Sequence, residues 1–394
     1  MKRANGEGSI RKHNKNTWEG RVCIGRGLDG KMKRKSVYGK TKREVADKMA
    51  AITTELNNGE YIEPDDMTLE QWLNIWKESY LVDVKRSTYS QYDYQIRVYI
   101  VPMLGRYRIQ KITPPMIQNF YNQLGKPHKI KGKKGKLEPR NGLSAKSVKN
   151  LHGVLHKAFQ QAVLCQYVKT NPCDACRLPR VEKAKTNAIE GDDVSAFLDA
   201  IKGDPYQHLY FVTLFTGMRQ GEIIGLTWDC VDFDKGVIHV EKQLRKDHRS
   251  GDSEYEFSSL KNGKTRMITP APIVFDVLRK VRAEQSKWKL AAGGAFRNEW
   301  NLVFTNELGQ HLTSVTVYNH LKRILESIGL GHIRFHDLRH SFATLSLQNG
   351  DDIKTVSENL GHATVAFTLD VYGHVTEKMK KDSADRMQAF IESL

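Results

Sequence analysis

The chain has 394 residues, of which 39% are hydrophobic, and its 62 Lys and Arg against 45 Asp and Glu give a formal net charge of +17. This length predicts two or three domains, because one hydrophobic core rarely serves more than about 250–300 residues. No apolar run approaches the roughly 20 residues that a membrane span needs. The N-terminus, MKRANGEGSIRKH, lacks the apolar segment of a signal peptide. We therefore expect a cytoplasmic protein with no membrane partner.

The positive charge is concentrated in two segments. Residues 1–48 hold 15 Lys and Arg against 5 Asp and Glu, and residues 126–149 hold 9 against 1. A merely solubilising surface fits scattered charge better than such clusters. The clusters favour a polyanionic partner, and nucleic acid is the natural one.

The first basic segment predicts a small sheet backed by a helix. Three short strands fall within residues 9–40, and a helix is expected over 42–57 with Thr41 as its N-cap. So small a unit buries little, which favours a functional surface over a structural cap. A sheet of this size suits the major groove of DNA. We predict that residues 1–60 bind DNA through the side chains Arg21, Lys33, Arg34 and Lys35.

A polar linker at 59–66 precedes a helical domain at 66–175. Apolar residues at helical spacing predict helices that start near Thr68, Ser87 and Pro115, the second ending before Pro102. Ser144 caps a fourth. The aromatic residues of these helices are expected in the core rather than as platforms for bases. Between the third and fourth helices, GKPHKIKGKKGKLEPRNG predicts a flexible basic loop whose phosphate contacts include Lys131, Lys133 and Lys134.

The five cysteines do not form a disulfide framework in a cytoplasmic chain. Cys173 and Cys176 form a CxxC motif without a second such pair, so we predict reduced thiols and no metal site. A charged, Pro-containing connector places a domain boundary near 180–187. Beyond it, helices are expected around 271–290, 314–328, 338–348, 352–360 and 376–391, with strands at 237–240 and 266–269. The fold class is therefore mainly α with small β elements, an α+β chain.

Chemistry-bearing residues cluster in two motifs of the last 200 residues. One is TGMRQGE at 216–222, and the other runs from HDLRH at 336–340 through LGH at 360–362 to Tyr372. Arginine forks can hold the non-bridging oxygens of a phosphodiester, and a phenol can attack it. A free tyrosine has a pKa of roughly 10, so it needs nearby cations and a base. Any one of these residues has an ordinary structural explanation, but together and in this order they predict phosphoryl transfer.

These motifs resemble those of tyrosine recombinases, the phage integrase family, and the overall layout is similar to integrases of conjugative transposons. The resemblance implies an Arg-Lys-His-Arg-His-Tyr set with no cofactor, matched here by Arg219, Lys261, His336, Arg339, His362 and Tyr372. It implies that Tyr372 is the nucleophile and that Glu222 supports the first arginine. We assign His336 as the base, His362 to the phosphate, and Lys261 on a hairpin as the general acid. Lys264 lies one turn from Lys261, and His340 and His374 compete for the imidazole roles.

The resemblance implies a catalytic domain at 187–394 after a core-binding domain at 66–175 and an arm-type DNA-binding domain at 1–60. The amphipathic tail at 376–394 is expected to dock into a neighbouring protomer, with packing in cis as the alternative. We predict a site-specific recombinase encoded by a bacterial mobile element or phage. It forms a 3′-phosphotyrosine and acts on double-stranded DNA at attachment sites and arm-type sites. It integrates and excises the element as a tetramer, and an accessory excision factor is a further partner. A type IB topoisomerase and a non-catalytic DNA-binding regulator are the alternatives.

Overall fold

A computed structural model describes residues 9–26, 31–59, 61–63, 65–131, 137–182, 187–246, 255–260 and 263–394. Within these ranges only the backbone is described at 26, 128–131, 137–138, 140 and 373–382. The chain divides into two compact units, Met1–Glu182 and Lys183–Leu394. The division falls within the connector noted in the sequence. No helix in the described part is long and apolar enough to cross a membrane.

The first unit opens with an antiparallel sheet of order β1-β2-β3 that packs on one helix. Its elements are β1 (Ser9–Asn14), β2 (Thr17–Arg26), β3 (Met32–Gly39) and α1 (Lys42–Asn57). The Thr41 hydroxyl accepts a hydrogen bond from the Glu44 amide at 3.1 Å and caps α1, as the sequence predicts. Gly20 faces this helix, because a Cβ there would lie 2.3 Å from the sulfur of Met49.

A helical core follows, built around Trp72, whose indole is fully buried and donates to the Ala158 carbonyl at 2.9 Å. Thr68 and Gln71 form a capping box that starts the first of these helices. The Ser144 hydroxyl caps the last by accepting from the Ser147 amide at 3.2 Å. The elements are α2 (Leu69–Tyr80), α3 (Arg86–Gln95), α4 (Val101–Leu104), α5 (Pro114–Leu124), β4 (His128–Lys131), β5 (Leu137–Arg140) and α6 (Ala145–Leu164).

Two predictions for this unit are wrong. The helix expected to end before Pro102 continues to Leu104, because the π-helical segment Ile96–Ile100 sets a wider hydrogen-bond register just before the proline, which has no N–H to donate. The basic segment expected to be a flexible loop contains the antiparallel pair β4 and β5, in which Lys131 is opposite Leu137. Residues 132–136, between the two strands, lie outside the described residues.

The second unit surrounds its own core with helices and short strands. Its strands form one sheet of order β10-β7-β6 and a separate hairpin of β8 and β9. The elements are α7 (Asp192–Ala200), α8 (Gln207–Thr216), α9 (Gln220–Ile224), β6 (Val231–Asp232), β7 (Val237–Val240), β8 (Lys242–Lys246), β9 (Tyr255–Ser259), β10 (Arg266–Ile268), α10 (Pro272–Ala292), α11 (Ser314–Ser327), α12 (Phe335–Gln348), α13 (Ile353–Leu360) and α14 (Val365–Glu392). The α+β fold class predicted from the sequence is confirmed.

Two helix boundaries in this unit differ from the prediction and bear on the site. Helix α12 begins at Phe335 rather than at 338, since the Asp337 carboxylate accepts from the Arg334 amide at 2.8 Å and completes the first turn. His336 therefore lies within the helix. The last predicted helix, 376–391, is the second half of α14, whose two halves meet at Tyr372, where the backbone leaves the helical range with φ −115° and ψ 15°.

Candidate active site

Two left-handed glycines end the helices that lead into the site. Gly217 follows α8 with φ +63°, and a Cβ there would lie 2.5 Å from the Phe342 ring. Gly361 follows α13 with φ +62°, and a Cβ there would lie 2.9 Å from Cδ of Arg266. Both positions combine a positive φ with close packing, which only glycine satisfies without strain. They direct Arg219 and His362 towards the same region.

Arg219 lies immediately before α9 and is held by Glu222 on the first turn of that helix. Its Nη1 donates to Oε1 of Glu222 at 2.8 Å, and its backbone amide donates to Oε2 at 2.9 Å. Its Nη2 donates to the carbonyl of Gly361 at 3.4 Å. The supporting role that the resemblance implied for Glu222 thus has a geometric basis.

Arg266 on β10 is a residue that the sequence argument missed. Its Nη1 and Nη2 donate to the two oxygens of Glu222 at 3.1 and 2.6 Å, and its Nε donates to the Asn359 carbonyl at 2.7 Å. Burial alone would raise the pKa of Glu222, but these hydrogen bonds and the nearby positive charges lower it to about 2. Glu222 therefore carries a full negative charge and joins α9, β10 and the end of α13.

Arg339 on α12 is almost fully buried, with 2% of its surface exposed. Its Nη1 donates to the Gly217 carbonyl at 2.8 Å, and its Nη2 donates to the Leu360 carbonyl. Burial, and then the charges of Arg219 and Arg266, lower its pKa to about 9. Three guanidinium groups thus share the single negative charge of Glu222, which leaves the site strongly positive.

Tyr372 is 1% exposed and its hydroxyl is 2.6 Å from Nδ1 of His340. Burial raises the pKa of this phenol to about 12, although the charge of Arg339 acts in the opposite direction. His336 lies one turn before His340 on α12, with the two rings edge to face and their centroids 5.1 Å apart. The His336 side chain is exposed, and no hydrogen bond from it to Tyr372 is seen among the described residues.

His362 follows Gly361 and is only partly buried. Its Nδ1 is 2.8 Å from the hydroxyl of Thr368, and its ring meets Phe367 edge to face at 4.8 Å. Desolvation, and then the charges of Arg339 and Arg219, lower its pKa to about 3. The imidazole is therefore neutral at physiological pH.

Five of the six residues predicted for catalysis therefore come together: Arg219, His336, Arg339, His362 and Tyr372. They come from four separate chain segments. Lys261, the sixth, lies outside the described residues. Two residues that the prediction did not include also belong to this network. His340 contacts Tyr372 directly, and Arg266 hydrogen-bonds Glu222, which in turn holds Arg219. His340 was noted in the sequence only as a competitor for an imidazole role.

The predicted DNA-binding residues of the N-terminal sheet divide between its two faces. Val22 is buried against α1, and its partner across the strands is Lys35, so this face is the helix side. On that side Lys35 lies 5.2 Å from the Tyr61 ring, and Lys33 pairs with Glu63. Arg21 and Arg34 lie on the opposite side of the sheet, the open face, because successive side chains along β2 and β3 point to alternate faces.

The open face is organised around one buried carboxylate, Glu19 on β2. Its oxygens accept from Nε of Arg11 at 2.7 Å, Nε of Arg21 at 3.1 Å and the Ser36 hydroxyl at 2.9 Å. Glu19 thereby fixes both arginines against the sheet. In the second basic segment, Lys131 ends β4 and its side chain is outside the described part, as are Lys133 and Lys134.

The CxxC segment packs against α6 of the helical core. The Tyr121 hydroxyl is 3.0 Å from Nδ1 of His152 and donates to the Cys173 sulfur at 4.0 Å, and Nε2 of His156 is 2.8 Å from Asp174. The HxxxH spacing of His152 and His156 was overlooked in the sequence argument. Burial raises the pKa of Cys173 to about 12. In the part of the chain that the structure describes, no three His, Cys, Asp or Glu side chains are arranged to hold a metal.

Comparisons with known proteins identify the family of the chain. The model of the phage integrase family matches residues 187–379, and that of the phage integrase N-terminal SAM-like domain matches 68–125. A tyrosine recombinase XerC-like protein of Caldanaerobacter subterraneus is 30% identical over 95% of this chain and 97% of its own. The ICEBs1 integrase of Bacillus subtilis is 26% identical over 88% of this chain and 90% of its own.

Among solved structures, the Tn1549 transposon integrase in complex with a circular intermediate DNA superimposes with a TM-score of 0.65. The match covers 82% of this chain and 99% of that one at 22% sequence identity, which shows a shared fold. The chain therefore belongs to the phage integrase family of tyrosine recombinases, enzymes that cleave and rejoin DNA strands.

Proposed function

We propose that this recombinase integrates and excises a mobile element at specific DNA sites, with Tyr372 as the nucleophile that forms a 3′-phosphotyrosine. The observation that carries the proposal is the buried Tyr372 hydroxyl within a site that also holds Arg219, Arg339, His336 and His362. Relatives named as integrases, including the ICEBs1 integrase, support the mobile-element role.

In the proposed reaction, Arg219 and Arg339 stabilise the charge that develops on the non-bridging oxygens of the phosphate. Preorganised donors of this kind contribute about 10²–10³-fold in rate each. Glu222 and Arg266 hold Arg219 in position, so the donors need not reorganise during the reaction. His362 orients the phosphate, and its neutral ring can donate through Nε2 while Nδ1 accepts from Thr368. Lys261 is assigned from the sequence alone as the acid that protonates the leaving 5′ oxygen.

The chain divides the work among three proposed domains. Residues 1–60 bind arm-type sites through the open face of the sheet. Residues 66–175, which include the basic segment at 126–149, bind the core site with residues 187–394, which also perform the chemistry. The retained ester energy allows the 5′ hydroxyl of another strand to reseal the DNA without a cofactor. The proposed setting is the bacterial cytoplasm, where an accessory protein assists excision.

A tetramer on two DNA sites is the proposed assembly. The end of α14 exposes Met387, Phe390 and Ile391, each with 57–59% of its surface accessible. An exposed apolar cluster on a terminal helix favours docking against another copy of the chain. This supports the tail acting in trans rather than packing in cis.

The test is formation of a covalent adduct. A duplex selected from a random library by the full chain would be nicked near the scissile phosphate, so that the cleaved strand diffuses away and traps the intermediate. We expect an adduct from the wild type and none from Tyr372→Phe. Absence of an adduct from the wild type would support a DNA-binding regulator, and plasmid relaxation without recombinants would support a type IB topoisomerase. An adduct from Tyr372→Phe would refute the choice of nucleophile.

A further inference from the structure

The hydroxyl of Tyr372 has one hydrogen-bond partner among the described residues, and that partner is His340. The distance of 2.6 Å between Oη and Nδ1 is at the short end for a hydrogen bond. The two rings lie 5.8 Å apart at 53°, so the contact is made by the polar edges of the side chains. This geometry connects the proposed nucleophile directly to an imidazole.

We propose that His340 is the catalytic residue that takes the proton from Tyr372 during strand cleavage. The inference rests on the proposed function and replaces His336 in the role of base. As Oη forms its bond to phosphorus, the Oη proton passes to Nδ1 of His340 and the bond from phosphorus to the 5′ oxygen breaks. The 5′ oxygen leaves with a proton from the general acid, assigned to Lys261. On resealing, His340 returns its proton to Oη as tyrosine leaves.

A base in contact with Oη is needed because the phenol is buried. With a pKa of about 12, only about one Tyr372 in 10⁵ is ionised at pH 7. His340 accepts at Nδ1 only if that nitrogen carries no proton, so the required form is the neutral ring with its proton on Nε2. Burial lowers the pKa of His340, which keeps the ring uncharged at neutral pH and able to accept a proton.

The charges around His340 shift its pKa in opposite directions, so the imidazole can take a proton and release it again. Asp337, three residues earlier on α12, raises its pKa, whereas Arg339 and Arg334 lower it. Arg334 occupies both oxygens of Asp337 at 3.1 Å, which weakens the pull of that carboxylate on the imidazole. The titratable or charged groups that face His340 are the α12 residues Arg334, His336, Asp337 and Arg339, His362 before α14, and Tyr372 on α14.

His336 is placed for a different task. Its side chain is accessible to solvent, but desolvation within the site, followed by the His340 imidazole and the charges of Arg339 and Arg219, lowers its pKa to about 4. Those arginines are the proposed phosphate ligands. The accessible imidazole of His336 can donate a hydrogen bond to a phosphate oxygen, whereas His340 makes the contact with Oη.

The experiment compares His340→Asn with His336→Asn in the full chain. Asparagine places an amide where Nδ1 stood, so it can keep a hydrogen bond to Oη but cannot take a proton. Single-turnover cleavage of the selected nicked duplex is measured from pH 5.5 to 9.5. The second substrate carries sulfur in place of the bridging 5′ oxygen, because a thiolate leaves without needing an acid. His332→Asn, an exposed histidine of the same unit, is the matched control.

We expect the wild-type rate to level off above the pKa of His340. The rate of His340→Asn should be about 10²–10⁴-fold lower and still rising at pH 9.5, because Tyr372 must then ionise by itself. The sulfur substrate should not restore it. His336→Asn should be slower than the wild type but keep the plateau. Equal affinity of all variants for the duplex confirms that they fold.

Three outcomes would overturn the proposal. The first is a His340→Asn rate within threefold of the wild type with the same plateau. The second is loss of the plateau in His336→Asn alone, which would return the base to His336. The third is rescue of His340→Asn by the sulfur substrate, which would assign His340 to the leaving group. If the wild type forms no adduct with either substrate, the proposed function itself fails, and that result is distinct from these three.

Discussion

Replacing Glu222 by glutamine should cost the second unit about 3 kcal/mol of unfolding free energy at pH 7. Glu222 is 1% exposed, and its pKa of about 2 lies some 2.5 units below the ordinary value of 4.5. A pKa difference of one corresponds to about 1.4 kcal/mol of preference for the charged form, so this difference gives roughly 3–4 kcal/mol. Removing one partner of a buried ion pair typically costs about 3–5 kcal/mol of stability, which is the same order of magnitude. The amide would also leave Arg219, Arg266 and Arg339 without a balancing charge.

The stability lost in Glu222→Gln should become smaller as the pH falls. The folded-state pKa of Glu222 is lowered, so its contribution is complete above the unfolded pKa of about 4.5 and is lost as pH falls towards 2. The difference between wild type and Glu222→Gln should therefore be constant from pH 7 to 5 and shrink to about 2 kcal/mol by pH 3.5. Cleavage should fall as well, since Arg219 loses its main support.

Urea unfolding followed by pulsed hydrogen exchange and mass spectrometry reports the second unit separately through its own peptides. Glu241→Gln, an exposed glutamate of the same unit, is the matched control and should change stability by less than about 0.5 kcal/mol. Equal costs for Glu222→Gln and Glu241→Gln at pH 7 would refute the reasoning. So would a Glu222→Gln cost that stays the same from pH 7 to 3.5.

Two further predictions concern DNA binding and assembly. Arg34→Ala on the open face of the N-terminal sheet should lower the slope of log affinity against log salt by about 1 for arm-type DNA, because it removes a phosphate contact. Lys33→Ala, on the helix side and paired with Glu63, should leave the slope unchanged, which departs from the DNA contact predicted for Lys33 from the sequence. Equal slopes for the two variants would contradict the division of the sheet into two faces. Phe390→Ser combined with Ile391→Ser should preserve single-site cleavage but reduce tetramers on DNA in analytical ultracentrifugation. Tetramers that persist at the wild-type level would argue for packing of the tail in cis.

Much of the fold follows from local signals in the sequence. Thr41, Thr68 and Ser144 cap the helices that they were predicted to start, since a side-chain oxygen that accepts from the first turn acts within four residues. The continuation past Pro102 was not predictable in this way. A proline usually ends a helix, and its tolerance here depends on the π-helical segment before it, which the packing of Ile96 and Ile100 in the core stabilises.

The candidate site was predictable as a set of residues but not as a network. Motif order identifies Arg219 and Arg339 because their spacing along the chain is read directly from the sequence. Arg266 carries no such signal, since it is one of several basic residues near a turn. It becomes part of the site only because β10 lies beside α9 and the end of α13, where its guanidinium meets both oxygens of Glu222. That contact depends on tertiary structure.

The assignment of the base shows the same limit at the level of a single helix turn. His336 and His340 are four residues apart, so both lie on one face of α12, and the sequence pattern cannot rank them. Which of the two histidines contacts the phenol depends on where α14 places Tyr372 against α12. Helix α14 leaves helical geometry at Tyr372, and Oη of this residue lies beside His340 on the second turn of α12 rather than at the first turn. This tertiary contact, which no sequence pattern carries, is what favours His340 over His336 as the proposed base.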